Sequence, residues 1–183
     1  MRGAVFFDRD GVVNASPGAG YVTCWGDFHL SPGIGGALRL CKVRGYLAVL
    51  VTSQRCVGKG LITRGQLDQI HAKMQSALAE EGGPGAGFDA IYVFTGLPGS
   101  EAWEKPKPGM IEAAAQEHDI DLGRSWLVGD HDRDIAMARN GGVPGTIRVR
   151  GDHPVTEPAT HTIDSTAELA GLFERVLDDA VTG

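Results

Sequence analysis

Four short polar clusters in this chain hold residues able to do chemistry. Asp8-Arg9-Asp10-Gly11 follows the apolar run Ala4-Val5-Phe6-Phe7. Thr52-Ser53-Gln54-Arg55 follows a second run over residues 46–51, and Gly129-Asp130-His131-Asp132-Arg133-Asp134 follows a third over 125–128. Lys105-Pro106-Lys107-Pro108-Gly109 lies in a loop before a helix-like stretch. Together they offer carboxylates, a hydroxyl and an ammonium. Clustered carboxylates repel one another unless a cation sits among them, and hard Mg²⁺ prefers oxygen ligands. A carboxylate left free can attack phosphorus and form an aspartyl-phosphate. A second one, two residues later on an extended strand end, points the same way and can exchange protons with leaving group and water. A threonine hydroxyl and a lysine ammonium can hold the phosphoryl oxygens as charge redistributes. The set suits phosphoryl transfer.

These clusters need elements that bring them to one edge. The runs at 4–7, 46–51, 90–94 and 125–128 are β-rich, continuous and too short for buried helices. They read as strands buried on both faces of a parallel sheet. Two later strands are expected at 146–149 and 161–163. Between them lie helical patterns. Residues 34–44 carry Ile34, Leu38 and Cys41 on one face before Gly45. Residues 63–81 open with a Thr63…Gln66 capping box and bear Leu67, Ile70, Met74 and Leu78 on a stripe. Further helices are expected from Pro108, over 132–140 and over 167–179, with 81–88 a loop. Strand and helix alternate, which predicts an α/β fold, a doubly wound and mostly parallel sheet. No linker divides the chain, so residues 1–183 are expected to form one domain. In such sheets ligands bind outside the carboxyl ends of the strands, where all three strand-end clusters fall.

Composition excludes several classes. With 17 Lys plus Arg against 23 Asp plus Glu the formal charge is −6, unlike the basic stripe of a nucleic-acid binder. No apolar run approaches the roughly 20 residues of a membrane span. The N-terminal segment meets Asp8 too early for a signal peptide. Cys24, Cys41 and Cys56 have neither disulfide-framework nor zinc-site spacing. A soluble, cytoplasmic protein is expected.

Asp8-Arg9-Asp10-Gly11-Val12-Val13-Asn14 resembles the first motif of the haloacid dehalogenase (HAD) superfamily of phosphatases. Thr52, Lys105 and Gly129-Asp130 match its second, third and fourth motifs in order. Within it, the chain resembles the family of D-glycero-D-manno-heptose 1,7-bisphosphate 7-phosphatases and histidinol-phosphatases. Gly20-Tyr21-Val22, Ser31-Pro32-Gly33, Val51-Thr52-Ser53-Gln54 and Lys105-Pro106-Lys107-Pro108-Gly109-Met110 all fall in register. The resemblance implies Asp8 as nucleophile and Mg²⁺ ligand. Asp10 would be general acid/base and would reach the metal through its backbone carbonyl, and Asp130 would complete the ligands. Thr52 and Lys105 would stabilise the transferred group. A loop including Ser16, Gly20 and Tyr21 would meet the substrate, a small phosphorylated metabolite. A large cap domain is absent, because the gaps after the first two motifs are too short. Members of this capless type are often monomers.

Departures from the family pattern bear on substrate. The segment 95–104 has no Cys or His, so the zinc loop of many relatives is not expected here. Glu104 stands where the family has an arginine, His131 where a lysine is common, and Ser53-Gln54-Arg55 replaces Asn-Gln-Ser. Ser53, Gln54, Arg55, Glu104 and His131 are therefore the candidate specificity positions. One reading has Arg55 contact a distal anionic group and pair with Glu104 when the site is empty. The other leaves it a surface arginine. Asp134 reads equally as part of the metal shell or as a first-turn carboxylate favoured by the helix dipole. Lys107, His29, His71, His118, His153 and His161 read as surface or structural. Heptose bisphosphate is the leading substrate, histidinol phosphate the runner-up through an amine–Glu104 pair. A catalytically silent module that senses a phosphorylated ligand is the alternative of another class.

Overall fold

The apolar runs become six strands of one sheet: β1 (Ala4–Phe7), β2 (Leu47–Ser53), β3 (Ala90–Phe94), β4 (Trp126–Gly129), β5 (Gly145–Val149) and β6 (His161–Ile163). The computed structural model, which describes residues 1–178, orders them β3-β2-β1-β4-β5-β6. Every pairing is parallel. Phe7 lies opposite Leu50 on one side and Val128 on the other, so β1 and β4 end within a residue of the same level while β2 runs on three residues further. The direction of winding reverses between β1 and β4. That crevice is the switch point at which doubly wound sheets bind ligands.

Helices cover both faces. They are α1 (Ile34–Val43), α2 (Arg55–Gly58), α3 (Arg64–Gly82), α4 (Gly109–His118), α5 (Asp132–Asn140) and α6 (Leu169–Val176). Alternate residues of β1 point to opposite faces. Val5 and Phe7 join a core with Leu38 of α1, Met74 of α3 and Phe173 of α6. Ala4 and Phe6 join the other, with Met110 and Ile111 of α4 and Met137 of α5. Phe6 and Phe7 are fully buried. Truncating either to alanine is expected to cost about 3–5 kcal/mol, transfer plus cavity.

The expected capping box forms: Thr63 accepts from Gln66 N, and the Gln66 side chain reaches back to Thr63 N at 2.8 Å. Three boundaries differ from expectation. β2 runs on through Ser53, because β3 supplies partners as far as Phe94, and this puts Thr52 inside the strand. The short α2 turn follows at once, carrying Arg55 as its first residue. The closing helix begins at Leu169, after a 3₁₀ turn over Thr166–Glu168 capped by Ser165. Its expected end, Asp179, lies outside the described residues. No helix among the described residues is long and apolar enough to cross a membrane. The connection from β1 to α1 carries only a 3₁₀ turn, Trp25–Asp27, so no large cap stands over the sheet edge.

Candidate active site

Three carboxylates meet at the switch point. Asp8 follows β1, Asp130 follows β4, and Asp134 projects from the first turn of α5. An oxygen of each lies within 4.8 Å of the others, and all three residues are buried. Two glycines make room for them. A Cβ on Gly11, whose φ is +87°, would fall 2.1 Å from Asp130 Oδ2; one on Gly129 would fall 2.4 Å from Asp134 Cβ. The Lys105 ammonium closes the group, donating to Asp8 Oδ1 and Asp134 Oδ1 at 2.7 Å each.

Charge here is poorly solvated. Burial raises the Asp130 carboxyl to about 7, with Asp8 and Asp134 adding to the rise and Lys105 opposing it. Burial likewise raises Asp8 to about 6, while Lys105 pulls it down and Asp134 pushes it up. For Lys105, burial acts to lower the pKa, but Asp134 and Asp8 outweigh it and the ammonium is held above its ordinary value. One ammonium against three carboxylates leaves the cluster short of positive charge. Hard oxygen donors with that deficit fit a divalent cation such as Mg²⁺.

Asp10 stands beside this group in a separate net. Its Oδ1 accepts from Arg9 Nη2 at 2.9 Å, Arg9 Nε at 3.1 Å and Asn14 Nδ2 at 3.0 Å. Its Oδ2 accepts from Gln54 Nε2 at 2.9 Å, and the same amide donates to Thr52 Oγ1 at 2.9 Å. Arg9 is wholly buried, with Nη1 3.3 Å from His71 Nε2. Burial and the Arg9 charge lower His71 to about 4, so the ring is a neutral acceptor at pH 7. Gln54, a substrate-contact candidate from sequence, lies buried as a brace between Asp10 and Thr52 and does not line the main cavity.

Above the carboxylates opens a cavity of about 290 Å³. Asp10 and Asp130 form part of its floor, and Ser16, Gly20, Tyr21, Ser53, Arg55 and His131 line it. Asp8, Thr52 and Lys105 lie buried beside that floor. Glu104 lines a neighbouring cavity that shares Arg55. Its carboxylate holds the Arg55 guanidinium, which also lies 5.8 Å from the Phe94 ring centroid.

A HAD-hydrolase-like family model matches residues 102–169. D-glycero-D-manno-heptose-1,7-bisphosphate 7-phosphatase of Thermosynechococcus vestitus is 36% identical over 157 residues, covering 80% of this chain and 78% of that protein. The D-glycero-beta-D-manno-heptose-1,7-bisphosphate 7-phosphatase of Pasteurella multocida is 33% identical over 185 residues, covering 95% and 98%. The chain belongs to the heptose bisphosphate phosphatase family of HAD-like hydrolases. The fold agrees. The crystal structure of D,D-heptose 1,7-bisphosphate phosphatase from B. bronchiseptica, complexed with magnesium and phosphate, superposes with a TM-score of 0.81 at 30% identity, covering 96% of this chain and 99% of that one. The chain is accordingly a phosphoric monoester hydrolase.

Against that family background, three features of the site lay beyond sequence reasoning. Asp134 serves two partners: its Oδ2 caps α5 by accepting from His131 N at 3.0 Å, while its Oδ1 accepts from Lys105. Arg133 and His153 line the main cavity, although His153 read as surface or structural. His153 comes from the segment after β5, its ring 4.5 Å from that of His131 and its Nε2 3.6 Å from Asp130 Oδ2. Nothing local in the sequence marks it. In the segment 95–104, Trp103 packs edge-on to Tyr92 with ring centroids 5.8 Å apart.

Proposed function

We propose that this phosphatase removes the 7-phosphate of D-glycero-D-manno-heptose 1,7-bisphosphate, with Asp8 as nucleophile. The observation that carries the reading is the buried Asp8–Asp130–Asp134–Lys105 group beneath an open polar cavity. Asp8, Asp130 and Asp134 would hold Mg²⁺, joined by the Asp10 backbone carbonyl as the resemblance implies. Bound there, Mg²⁺ would neutralise the crowded carboxylates and the phosphoryl oxygens.

Chemistry then falls to the chain's own groups. An Asp8 carboxylate oxygen forms a bond to phosphorus as the bond to the sugar oxygen breaks. Asp10 donates a proton to that leaving oxygen. Its carboxyl is aimed by Arg9 and Asn14 on one oxygen and by Gln54 on the other. Lys105 and the Thr52 hydroxyl stabilise the transferred group. Asp10 next takes a proton from water, which attacks the aspartyl-phosphate at phosphorus. The Asp8–phosphoryl bond breaks, freeing Asp8 and inorganic phosphate.

In this reading the chain works as a single-domain, cytoplasmic monomer on a small phosphorylated metabolite, without zinc. Nucleic-acid and membrane partners are not expected, in keeping with the net charge of −6. Histidinol phosphate is disfavoured by one observation: the carboxylate that would take its amine, Glu104, is occupied by Arg55.

A phosphate-release panel tests the proposal. It compares both heptose 1,7-bisphosphate anomers, histidinol phosphate, simple sugar monophosphates and an aryl phosphate, with and without Mg²⁺. The expected result is Mg²⁺-dependent turnover with the highest kcat/KM on one heptose bisphosphate, and loss of at least a thousandfold in Asp8→Asn. A higher kcat/KM on any other substrate overturns the heptose assignment. Turnover that survives in Asp8→Asn overturns the nucleophile.

A further inference from the structure

The main cavity is lined by four potentially cationic side chains, and they are not equally available. Arg55 is held by Glu104 and lies against the Phe94 ring. His131 caps α5, its Nδ1 accepting from Arg133 N at 3.3 Å. His153 packs against His131 with the rings tilted at 48° and faces Asp130. Arg133 is different. Its guanidinium has no ion pair, side-chain hydrogen bond or ring contact among the described residues, yet it lines the cavity beside the carboxylates.

The wall that carries Arg133 is held rigid. Arg148 of β5 is almost fully buried and donates to the Asp130 carbonyl at 3.2 Å, to Asp132 Oδ1 at 2.5 Å and to the Glu157 carbonyl at 2.9 Å. Asp132 Oδ2 accepts from Thr156 N at 2.9 Å and from Thr156 Oγ1 at 2.6 Å. These contacts tie the segment after β5 to the start of α5. The Arg133 backbone is thus fixed between Asp132 and Asp134, while its side chain is free to engage a ligand.

We propose that Arg133 is the specificity-determining residue for a second, distal phosphate on the substrate. The inference rests on the phosphatase reading above and adds to it the residue that selects bisphosphates. A substrate whose scissile phosphate sits against Asp8, Lys105 and Thr52 must send the rest of its body up the cavity, past Asp10 and Asp130. An uncommitted guanidinium on that wall offers a planar fork matched to two phosphate oxygens. Arg55 offers less, because phosphate must first displace Glu104.

Steady-state kinetics on the Mg²⁺-loaded full chain tests this. Each of two sugars is supplied as bisphosphate and as the corresponding monophosphate: heptose 1,7-bisphosphate against heptose 7-phosphate, and fructose 1,6-bisphosphate against fructose 6-phosphate. The wild-type protein is expected to favour the bisphosphate form of at least one sugar by tenfold or more in kcat/KM. Arg133→Met is expected to lower that ratio at least tenfold, through KM, and Arg133→Lys to retain part of it. Arg55→Met is expected to lower it less than threefold.

The proposal is overturned if wild type shows no bisphosphate preference. It is overturned equally if Arg133→Met weakens both forms alike, or if Arg55→Met removes the preference instead. An Arg133-dependent fructose bisphosphate preference, with a kcat/KM above that for heptose 1,7-bisphosphate, would support Arg133 while refuting the heptose assignment. A heptose preference indifferent to Arg133 would do the reverse.

Discussion

Asp130→Asn should make the metal-free protein more stable at alkaline pH, although it removes a site carboxylate. Asp130 is buried beside Asp8 and Asp134, and no side chain donates a hydrogen bond to its carboxylate among the described residues; His153 Nε2 approaches only to 3.6 Å. Asparagine keeps the shape and removes the charge. The carboxyl titrates at about 7 in the fold against an ordinary value of 3.8. Between those values the folded state binds more protons than the unfolded chain, so stability falls as pH rises through the window. By pH 8 the full difference is in force, about 4 kcal/mol at 1.36 kcal/mol per pH step, and relaxation of the site reduces it to about 2–4 kcal/mol. At pH 5 about 1–2 kcal/mol remains, and well below pH 3.8 none. For a chain of this length the gain at pH 8 corresponds to roughly 5–15 °C in Tm.

The assay is thermal unfolding of wild type and Asp130→Asn in EDTA from pH 5 to 8, repeated with excess Mg²⁺. Mg²⁺ at a hundred times its Kd adds about 2.7 kcal/mol to the wild type. It should add little to the variant, so the metal narrows or reverses the order. Asp130→Asn less stable than wild type in EDTA at pH 8, or a gain that does not change with pH, would refute the reasoning that crowded, desolvated charge defines this site.

Two further substitutions probe how the carboxylates are placed. Gly11→Ala puts a Cβ 2.1 Å from Asp130 Oδ2 at a φ of +87°. The strained backbone alone should cost about 1–3 kcal/mol. Mg²⁺ titration followed by Tm should show weaker metal binding, and an unchanged Mg²⁺ response would show that Asp130 does not need this close approach. Gln54→Leu removes the amide shared by Asp10 and Thr52 while leaving Arg9 and Asn14 on the other Asp10 oxygen. We expect kcat to fall about 10–100-fold with KM little changed, as for a misaligned catalytic group. A KM effect alone would return Gln54 to substrate binding.

Much of this arrangement is legible in the sequence alone. The apolar runs ending in Asp8, Thr52 and Asp130 dictated parallel strands, and parallel strands bring their carboxyl ends to one edge. That Asp8, Thr52 and Asp130 gather at one place therefore followed from local pattern plus a single topological rule. The helices followed from period and caps, as at Thr63 and Gln66. For Arg55 the sequence leaves two readings open, a partner of Glu104 or a plain surface arginine; in the fold the two side chains form an ion pair while both stay partly exposed.

What sequence could not decide were distances of a few ångströms and the directions of single side chains. Asp134 became a member of the carboxylate group only because Gly129 lets α5 press close to the end of β4. Gln54 turned inward to brace Asp10 and Thr52 instead of lining the cavity. His153 reached the site because Arg148 and Asp132 fold the segment after β5 back over α5. The chain's sequence thus determined which residues gather at the sheet's edge, since strand ends obey short-range patterning. Tertiary packing alone decided which gathered charges are paired and which, like Arg133, stay free, because pairing depends on long-range contacts that no local period encodes.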